Sequence, residues 1–110
     1  MNRNRLLDMF ASNLANAIVH KILEKAIDKP EIMQFYSKEV KNSFEIAKRY
    51  REKINPADKT LPVHDIRIRE KIINKVKAEL SLRILKGYTN IDLSLVEKLV
   101  DDYLKEFRII

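Results

Sequence analysis

Apolar residues recur three and four positions apart in four segments of the chain, a spacing that places them on one face of an α-helix. The second and fourth segments each carry one such stripe, with charged residues on the remaining faces. The stripes consist of Met33, Tyr36, Val40, Phe44, Ala47 and Ile54, and of Val96, Leu99, Val100, Tyr103, Phe107 and Ile110. The pattern predicts an all-α four-helix bundle with helices at about 5–27, 29–54, 65–86 and 93–109.

The first predicted helix differs from the second and fourth because its apolar residues cover more than half of its circumference. They are Leu7, Phe10, Ala11, Leu14, Ala15, Ile18, Val19, Ile22, Leu23 and Ala26. A helix this apolar has to be covered on two sides, by its own bundle or by a second chain. We therefore expect Leu7, Leu14, Val19 and Leu23 to contribute to self-association, with a second chain completing the bundle.

The third predicted helix is also apolar on more than one side. Its core stripe contains Ile66, Ile73, Val76, Leu80 and Ile84. The opposite face carries a second apolar group of Ala78, Leu82 and Leu85. This group predicts contact with another helix, and either a second copy of the chain or the fourth helix of the same chain could provide it.

Capping residues support two of the predicted helix boundaries. Asp28 and Glu31 have the spacing of a capping box at the start of the second helix, and Pro30 suits the first helical position. Gly87 is the residue best suited to the left-handed conformation that ends many helices, so we place the end of the third helix there.

The start of the fourth helix has two candidate caps. Ser94 with Glu97 forms a capping box, whereas Asp92 could cap the helix with Ile91 packed on Val96. Both arrangements satisfy the free N–H groups of the first turn, and the sequence leaves the choice open.

The connection between the first two helices is unusually short. If the first helix ends near Lys25, the chain reverses and an up-down-up-down bundle follows; if it continues as a kinked helix, its amino-terminal arm could reach a second chain. The broad apolar surface of that arm favours the second arrangement. The longest irregular stretch runs from Asn55 to about His64, where Pro56 and Pro62 both resist helix formation.

Length and composition agree with one helical domain spanning residues 1–110. The chain is 45% apolar and 35% charged, with one glycine, three prolines and no cysteine, so disulfides, thiolate catalysis and cysteine-ligated zinc are excluded. No run approaches the roughly 20 apolar residues of a membrane span, and Asp8 interrupts the amino-terminal apolar stretch too early for a secretion signal. We expect a cytoplasmic protein with no membrane contact.

Side-chain patterns for catalysis or metal binding are weak. His20 and Glu24 are one helical turn apart, which suits either two metal ligands or a polar stripe with interhelical hydrogen bonds. Asp101 and Asp102 are neighbours, so they point about 100° apart on a helix and cannot share a proton. We expect no enzymatic activity, no cofactor and no small-molecule substrate.

The formal net charge of +6 favours acidic partners. Arg67, Lys71 and Lys75 form a row four residues apart on the third helix, where they could follow a phosphate backbone. The second helix adds Lys48, Arg49 and Lys53, which could merge with that row or form part of a solvated face. The core stripes contain Phe10, Tyr36, Phe44, Tyr103 and Phe107, whereas Tyr88 and Phe35 lie outside them, so the base stacking of single-strand binders has little support.

Three arginines fall within otherwise apolar parts of the helices: Arg51, Arg69 and Arg83. Each could meet a buried carboxylate or an anion, or could extend its charged end past a helix terminus into water. The sequence as a whole favours a non-catalytic helical interaction or assembly module that self-associates as a dimer. The alternative is a nucleic-acid-associated protein that makes sequence-independent phosphate contacts through the basic helix face.

Overall fold

The computed structural model describes residues 3–27, 29–54 and 65–107. They form four α-helices: α1 (Arg3–Ala26), α2 (Pro30–Lys53), α3 (Asp65–Leu85) and α4 (Leu95–Glu106). No strand occurs in these three ranges, so the predicted all-α class is confirmed, and the helix ends lie within about three residues of the predicted ones. The predicted capping residue Asp28, the proline-containing stretch 55–64 and Ile110 lie outside the described residues.

Helix α1 is the central helix and contacts the other three. Helix α2 runs antiparallel to it, because Asn16 Nδ2 donates to Ser43 Oγ at 2.6 Å while the His20 ring, one turn further along α1, lies 5.5 Å from the ring of Tyr36, earlier in α2. The chain therefore reverses between α1 and α2, and the alternative of a kinked continuation is wrong.

Helix α3 runs parallel to α1 in a constant register. Lys71 meets Asp8 and Lys75 meets Ser12, and in both pairs the partners are 63 residues apart. Helix α4 then packs antiparallel on α3, where two ion pairs join Arg69 to Asp101 and Lys77 to Glu97.

The wide apolar surface of α1 is covered within the chain itself. Leu7, Leu14, Val19 and Leu23, which we expected at an interface between chains, are between 0% and 8% exposed. They lie in one core with apolar residues of α2, α3 and α4. Because the other three helices all pack against α1, these four side chains are unavailable to a second folded copy. The described side chains of α1 that are exposed are Arg5, Asp8, Asn16 and Lys25.

Four aromatic rings join α1, α2 and α4 in the core. The ring of Phe10 on α1 meets the ring of Phe107, the residue after α4, edge-on at 5.3 Å between centroids. Phe44 of α2 lies 4.9 Å from Phe107 and 5.5 Å from Tyr103. Aromatic pairs at these separations add to the free energy gained from burial alone.

Gly87 ends α3 in the predicted left-handed conformation, with φ of 100°. The N–H of Gly87 donates to the carbonyl of Ile84 at 3.0 Å, and the N–H of Tyr88 donates to the carbonyl of Arg83 at 3.1 Å. These two bonds define a Schellman motif, in which the left-handed residue allows free carbonyls of the last turn to be satisfied.

We expect Gly87→Ala to lower the free energy of unfolding by about 1–2 kcal/mol, the cost of a side chain in the left-handed region. A Cβ added at this position would meet no atom within 4 Å, so the loss comes from the backbone conformation rather than from crowding. Urea denaturation followed by circular dichroism measures it. Gly87→Asn should lose less, because asparagine tolerates this conformation better than alanine.

Asp92, rather than Ser94, caps the start of α4. The Asp92 carboxylate accepts hydrogen bonds from the backbone N–H of Ser94 at 2.9 Å and from its hydroxyl at 2.5 Å. The hydroxyl bond lowers the pKa of Asp92 most, and the N–H bond adds to the effect. Ser94 already has helical backbone angles and makes no capping bond with its own side chain, so the first of the two predicted arrangements is wrong. Pro30 occupies the first turn of α2, as predicted.

The three arginines in apolar regions have different partners. Arg69 donates to the carboxylate of Asp101 from Nε at 2.6 Å and from Nη2 at 3.2 Å. Arg83 lies against Tyr88, and Arg51 is buried and donates to main-chain carbonyls. Arg69 therefore meets a carboxylate, but Asp101 is 34% exposed rather than buried as that alternative required.

The pair of Arg69 and Asp101 should make stability depend on pH. The hydrogen bonds from Arg69 lower the pKa of Asp101. The pair therefore stabilises the folded state fully above the ordinary aspartate pKa, about 3.9. This stabilisation disappears as pH falls through the lowered pKa of the folded state. Both side chains are about a third exposed, at 36% and 34%, which limits the effect to about 1 kcal/mol or less.

Denaturation of Asp101→Asn and of the unaltered chain at pH 6 and below pH 2 measures that difference. We expect Asp101→Asn to have a lower free energy of unfolding than the unaltered chain at pH 6, and the two values to be equal below pH 2. Asp102→Asn is the matched control, because Asp102 is exposed and adjacent. An equal gap for both variants at pH 6 would contradict the assignment to the pair.

Candidate functional site

The two most exposed apolar side chains at the end of α3 lie on one stripe. Leu85 is 83% exposed and Leu82 is 51% exposed, and Ala78 is exposed one turn before them. Steps of four and three residues keep Ala78, Leu82 and Leu85 on one side of the helix; we call these three residues the α3 patch. Helix α4 contacts α3 through Arg69 and Lys77 instead, so the alternative that α4 covers the patch is wrong.

A surface groove between α1 and α3 adjoins the α3 patch. Its volume is about 390 Å³, and its lining residues are Ser12, Ala15, Asn16, Val19, Lys75, Ala78 and Glu79. Small side chains at Ser12, Ala15 and Ala78 leave this space between the two parallel helices. Ala78 belongs to both features, so the exposed leucines and the groove form one continuous surface.

Two charged residues flank the α3 patch. Glu79 and Lys86 are exposed, and neither makes an ion pair within the ranges that the structure describes. Their separation of seven residues is almost two helical turns, which places both on the same side of the stripe. Each is therefore free to meet a charge on a partner.

The carboxyl-terminal end of α3 is fixed by contacts that sequence analysis missed. Arg83 Nη1 lies 3.5 Å from the Tyr88 hydroxyl, and its guanidinium lies 5.6 Å from the centre of the Tyr88 ring. A hydrogen bond with Tyr36 of α2 lowers the pKa of Tyr88, and burial is the main cause of the raised pKa of Tyr36. The signal in the sequence was Arg83 in an apolar region, five residues before an aromatic residue outside the core stripes.

Two residues of the predicted basic row on α3, Lys71 and Lys75, contact side chains of α1 and remain accessible to solvent. Lys71 pairs with Asp8 and thereby lowers the pKa of that carboxyl, and Lys75 donates to Ser12 Oγ at 2.8 Å. Arg67 lies in α3, but its side chain is outside the described part of the structure.

The basic residues of α2 form a separate group. Lys48, Arg49 and Lys53 are exposed, with the Lys53 ammonium 5.8 Å from the centre of the Tyr50 ring. Helices α2 and α3 pack on different sides of α1 and make no direct backbone contact within the described ranges. The structure therefore does not bring the two predicted basic groups together.

His20 takes part in packing between helices. Its Nδ1 lies 2.9 Å from the main-chain oxygen of Asn16, and its ring packs near Tyr36. Within residues 3–27, 29–54 and 65–107, no group of three or more histidine, aspartate or glutamate side chains is placed to hold a metal ion. In the same ranges no helix is both long enough and apolar enough to cross a membrane.

Comparison of the chain with models of known protein families, with curated proteins and with solved structures returns no match. No residue role can therefore be carried over from a relative. The candidate site rests on the exposed apolar surface of α3, the groove beside it and the two charges that flank it.

Proposed function

We propose that this protein is a non-catalytic helical interaction module that associates with a second copy of itself through the α3 patch. The observation that carries the proposal is the exposure of Leu85 and Leu82, 83% and 51%, on one stripe of a regular helix. Full burial of a leucine side chain stabilises an assembly by about 1.5–3 kcal/mol. Two copies meeting here would bury four leucines.

The surroundings of the α3 patch favour a docking role. A rigid surface binds with a smaller loss of conformational entropy than a flexible one. The Schellman motif at Gly87 and the contacts of Arg83 with Tyr88 hold the end of α3 in place. The sequence had suggested self-association through both α1 and α3. Because the apolar residues of α1 lie in the core, we assign self-association to α3 alone.

Leu85→Glu should weaken self-association by at least about thirtyfold, equivalent to 2 kcal/mol, because it introduces a charge where the proposed interface is apolar. Leu82→Glu should act in the same way. Light scattering coupled to size exclusion, over a concentration series from one to several hundred micromolar, measures the monomer–dimer equilibrium. The unaltered chain is expected to form dimers in that range.

Met33→Glu on α2 is the matched control, since Met33 is also an exposed apolar side chain, at 37%, and lies outside the α3 patch. It should leave the dimer intact. Circular dichroism on each variant separates loss of association from loss of folding. A strict monomer for the unaltered chain at several hundred micromolar would overturn the proposal.

Phosphate contacts with nucleic acid form a second proposal, supported by the net charge of +6 and by the exposed Lys48, Arg49 and Lys53. The engagement of Lys71 and Lys75 with α1 weakens this alternative. Heparin chromatography over a salt gradient tests it. Charge reversal at the three α2 positions should abolish retention, and retention that ignores both salt and the reversal would exclude this role.

A further inference from the structure

Residues on either side of Leu82 are complementary in size and in charge. Ala78, with a small side chain, lies four positions before Leu82, and Leu85, with a large one, lies three positions after it. The acidic residue Glu79 lies three positions before Leu82, and the basic residue Lys86 lies four positions after it. All four side chains are exposed.

We infer that the second copy docks antiparallel on α3, about a two-fold axis that passes close to Leu82. The inference rests on the proposed self-association and adds its geometry. In an antiparallel pair, a residue some positions before the crossing point lies opposite one about as many positions after it. Leu85 of each chain then packs onto the partner's Ala78. Glu79 of each chain faces the partner's Lys86.

A parallel pair would lack both kinds of complementarity. About a parallel two-fold axis each residue of the stripe faces its own copy. Glu79 and Lys86 lie on one side of the stripe, so the partner's Glu79 and Lys86 would lie on the opposite side of the interface. The parallel arrangement therefore keeps these four charges apart, whereas the antiparallel arrangement turns them into two ion pairs. Two copies of Ala78 facing each other would also leave a gap between the helices.

The groove between α1 and α3 provides space for the incoming leucine. It opens beside Ala78, where Ala15 of α1 also contributes a small side chain, and its volume is about 390 Å³. The partner's Leu85 would enter this groove in the antiparallel arrangement. The antiparallel dimer therefore engages the exposed leucines, the groove and the two charges.

A pair of charge-reversed chains tests the register. Glu79→Lys alone sets lysine against lysine at both ends of the interface, and Lys86→Glu alone sets glutamate against glutamate. Each variant alone should dimerise at least about tenfold more weakly than the unaltered chain. An equimolar mixture restores both ion pairs, so it should form a heterodimer within about threefold of the original dissociation constant. Analytical ultracentrifugation with one variant fluorescently labelled reports both results.

Cysteine cross-linking supplies an independent test, because the chain contains no cysteine of its own. Under mild oxidation Leu82→Cys should cross-link to its own copy. Ala78→Cys should cross-link to Leu85→Cys in a mixture and much less in either variant alone. Met33→Cys is the control and should stay uncross-linked.

The outcomes separate the geometry from the association itself. A dimer that Leu85→Glu disrupts, combined with no recovery in the charge-reversed mixture, or with Leu85→Cys cross-linking mainly to its own copy, would overturn the antiparallel geometry and leave self-association standing. A monomeric unaltered chain would overturn both. Recovery in the mixture together with the Ala78–Leu85 cross-link is the result that we expect.

Discussion

Replacing Phe10 with alanine is expected to lower the free energy of unfolding by about 3–5 kcal/mol. Phe10 is completely buried on the central helix, and its ring meets Phe107 edge-on at 5.3 Å. Phe107 in turn packs against Phe44 at 4.9 Å. Truncation would therefore leave a cavity where α1, α2 and α4 meet. Because a domain of this size has about 5–15 kcal/mol of total stability, much of it would be lost.

Urea denaturation of Phe10→Ala, followed by circular dichroism, measures the loss. Phe35→Ala is the control, since the same truncation at a side chain that is 58% exposed should cost less than about 1 kcal/mol. Phe10→Leu should fall between the two, because it restores part of the volume. Equal losses for Phe10→Ala and Phe35→Ala would contradict the central position of α1.

The helices could be predicted from the sequence because the signals that form them are local. Apolar spacing depends on the helical repeat alone, so it predicts all four helices without any knowledge of tertiary contacts. Gly87 is equally local, since the left-handed conformation that ends α3 is a property of one residue. The choice between the two possible caps of α4 required the structure, because Asp92 and Ser94 are both good capping residues.

The direction and register of the helices could not be predicted. Asp8 and Lys71 are 63 residues apart, and nothing in the sequence of either segment indicates that α1 and α3 run side by side in parallel. The same ambiguity affected Leu14 and Leu23, because an apolar stripe looks alike whether it meets its own chain or another. Once α2, α3 and α4 cover α1, its apolar residues belong to the core.

The candidate site was partly predictable for the same reason. The stripe of Ala78, Leu82 and Leu85 follows from helical periodicity, and its position opposite the core stripe suggested a contact surface. Whether another helix of the chain covered that surface depended on the placement of α4, which meets a different side of α3. The groove beside Ala78 depends on α1 as well, so only the folded structure reveals it.

Arg51 contributes to stability in a way that its position in the sequence did not indicate. It is only 5% exposed, and its Nε donates to the carbonyl of Phe107 at 2.8 Å while Nη1 donates to the carbonyl of Ile54 at 2.9 Å. These carbonyls lie at the carboxyl-terminal ends of α4 and α2, where helical hydrogen bonding leaves acceptors free. One guanidinium therefore ties the ends of two helices together.

Arg51→Ala should accordingly lower the free energy of unfolding by about 3 kcal/mol, because each buried carbonyl that loses its partner costs about 1–3 kcal/mol and such losses are seldom fully additive. The change is best followed by urea denaturation at pH 5 and at pH 8. Arginine stays charged throughout this range, so the loss should be the same at both values.

Two further variants identify the cause of that loss. Arg49→Ala removes the same side chain two residues earlier at an exposed position, so it should change stability by no more than about 0.5 kcal/mol. Arg51→Lys keeps the charge but cannot present two planar donors to two separate carbonyls, so it should recover only part of the stability. Full recovery with lysine would mean that charge alone suffices. Partial recovery would show that the planar donor geometry joins the ends of α2 and α4.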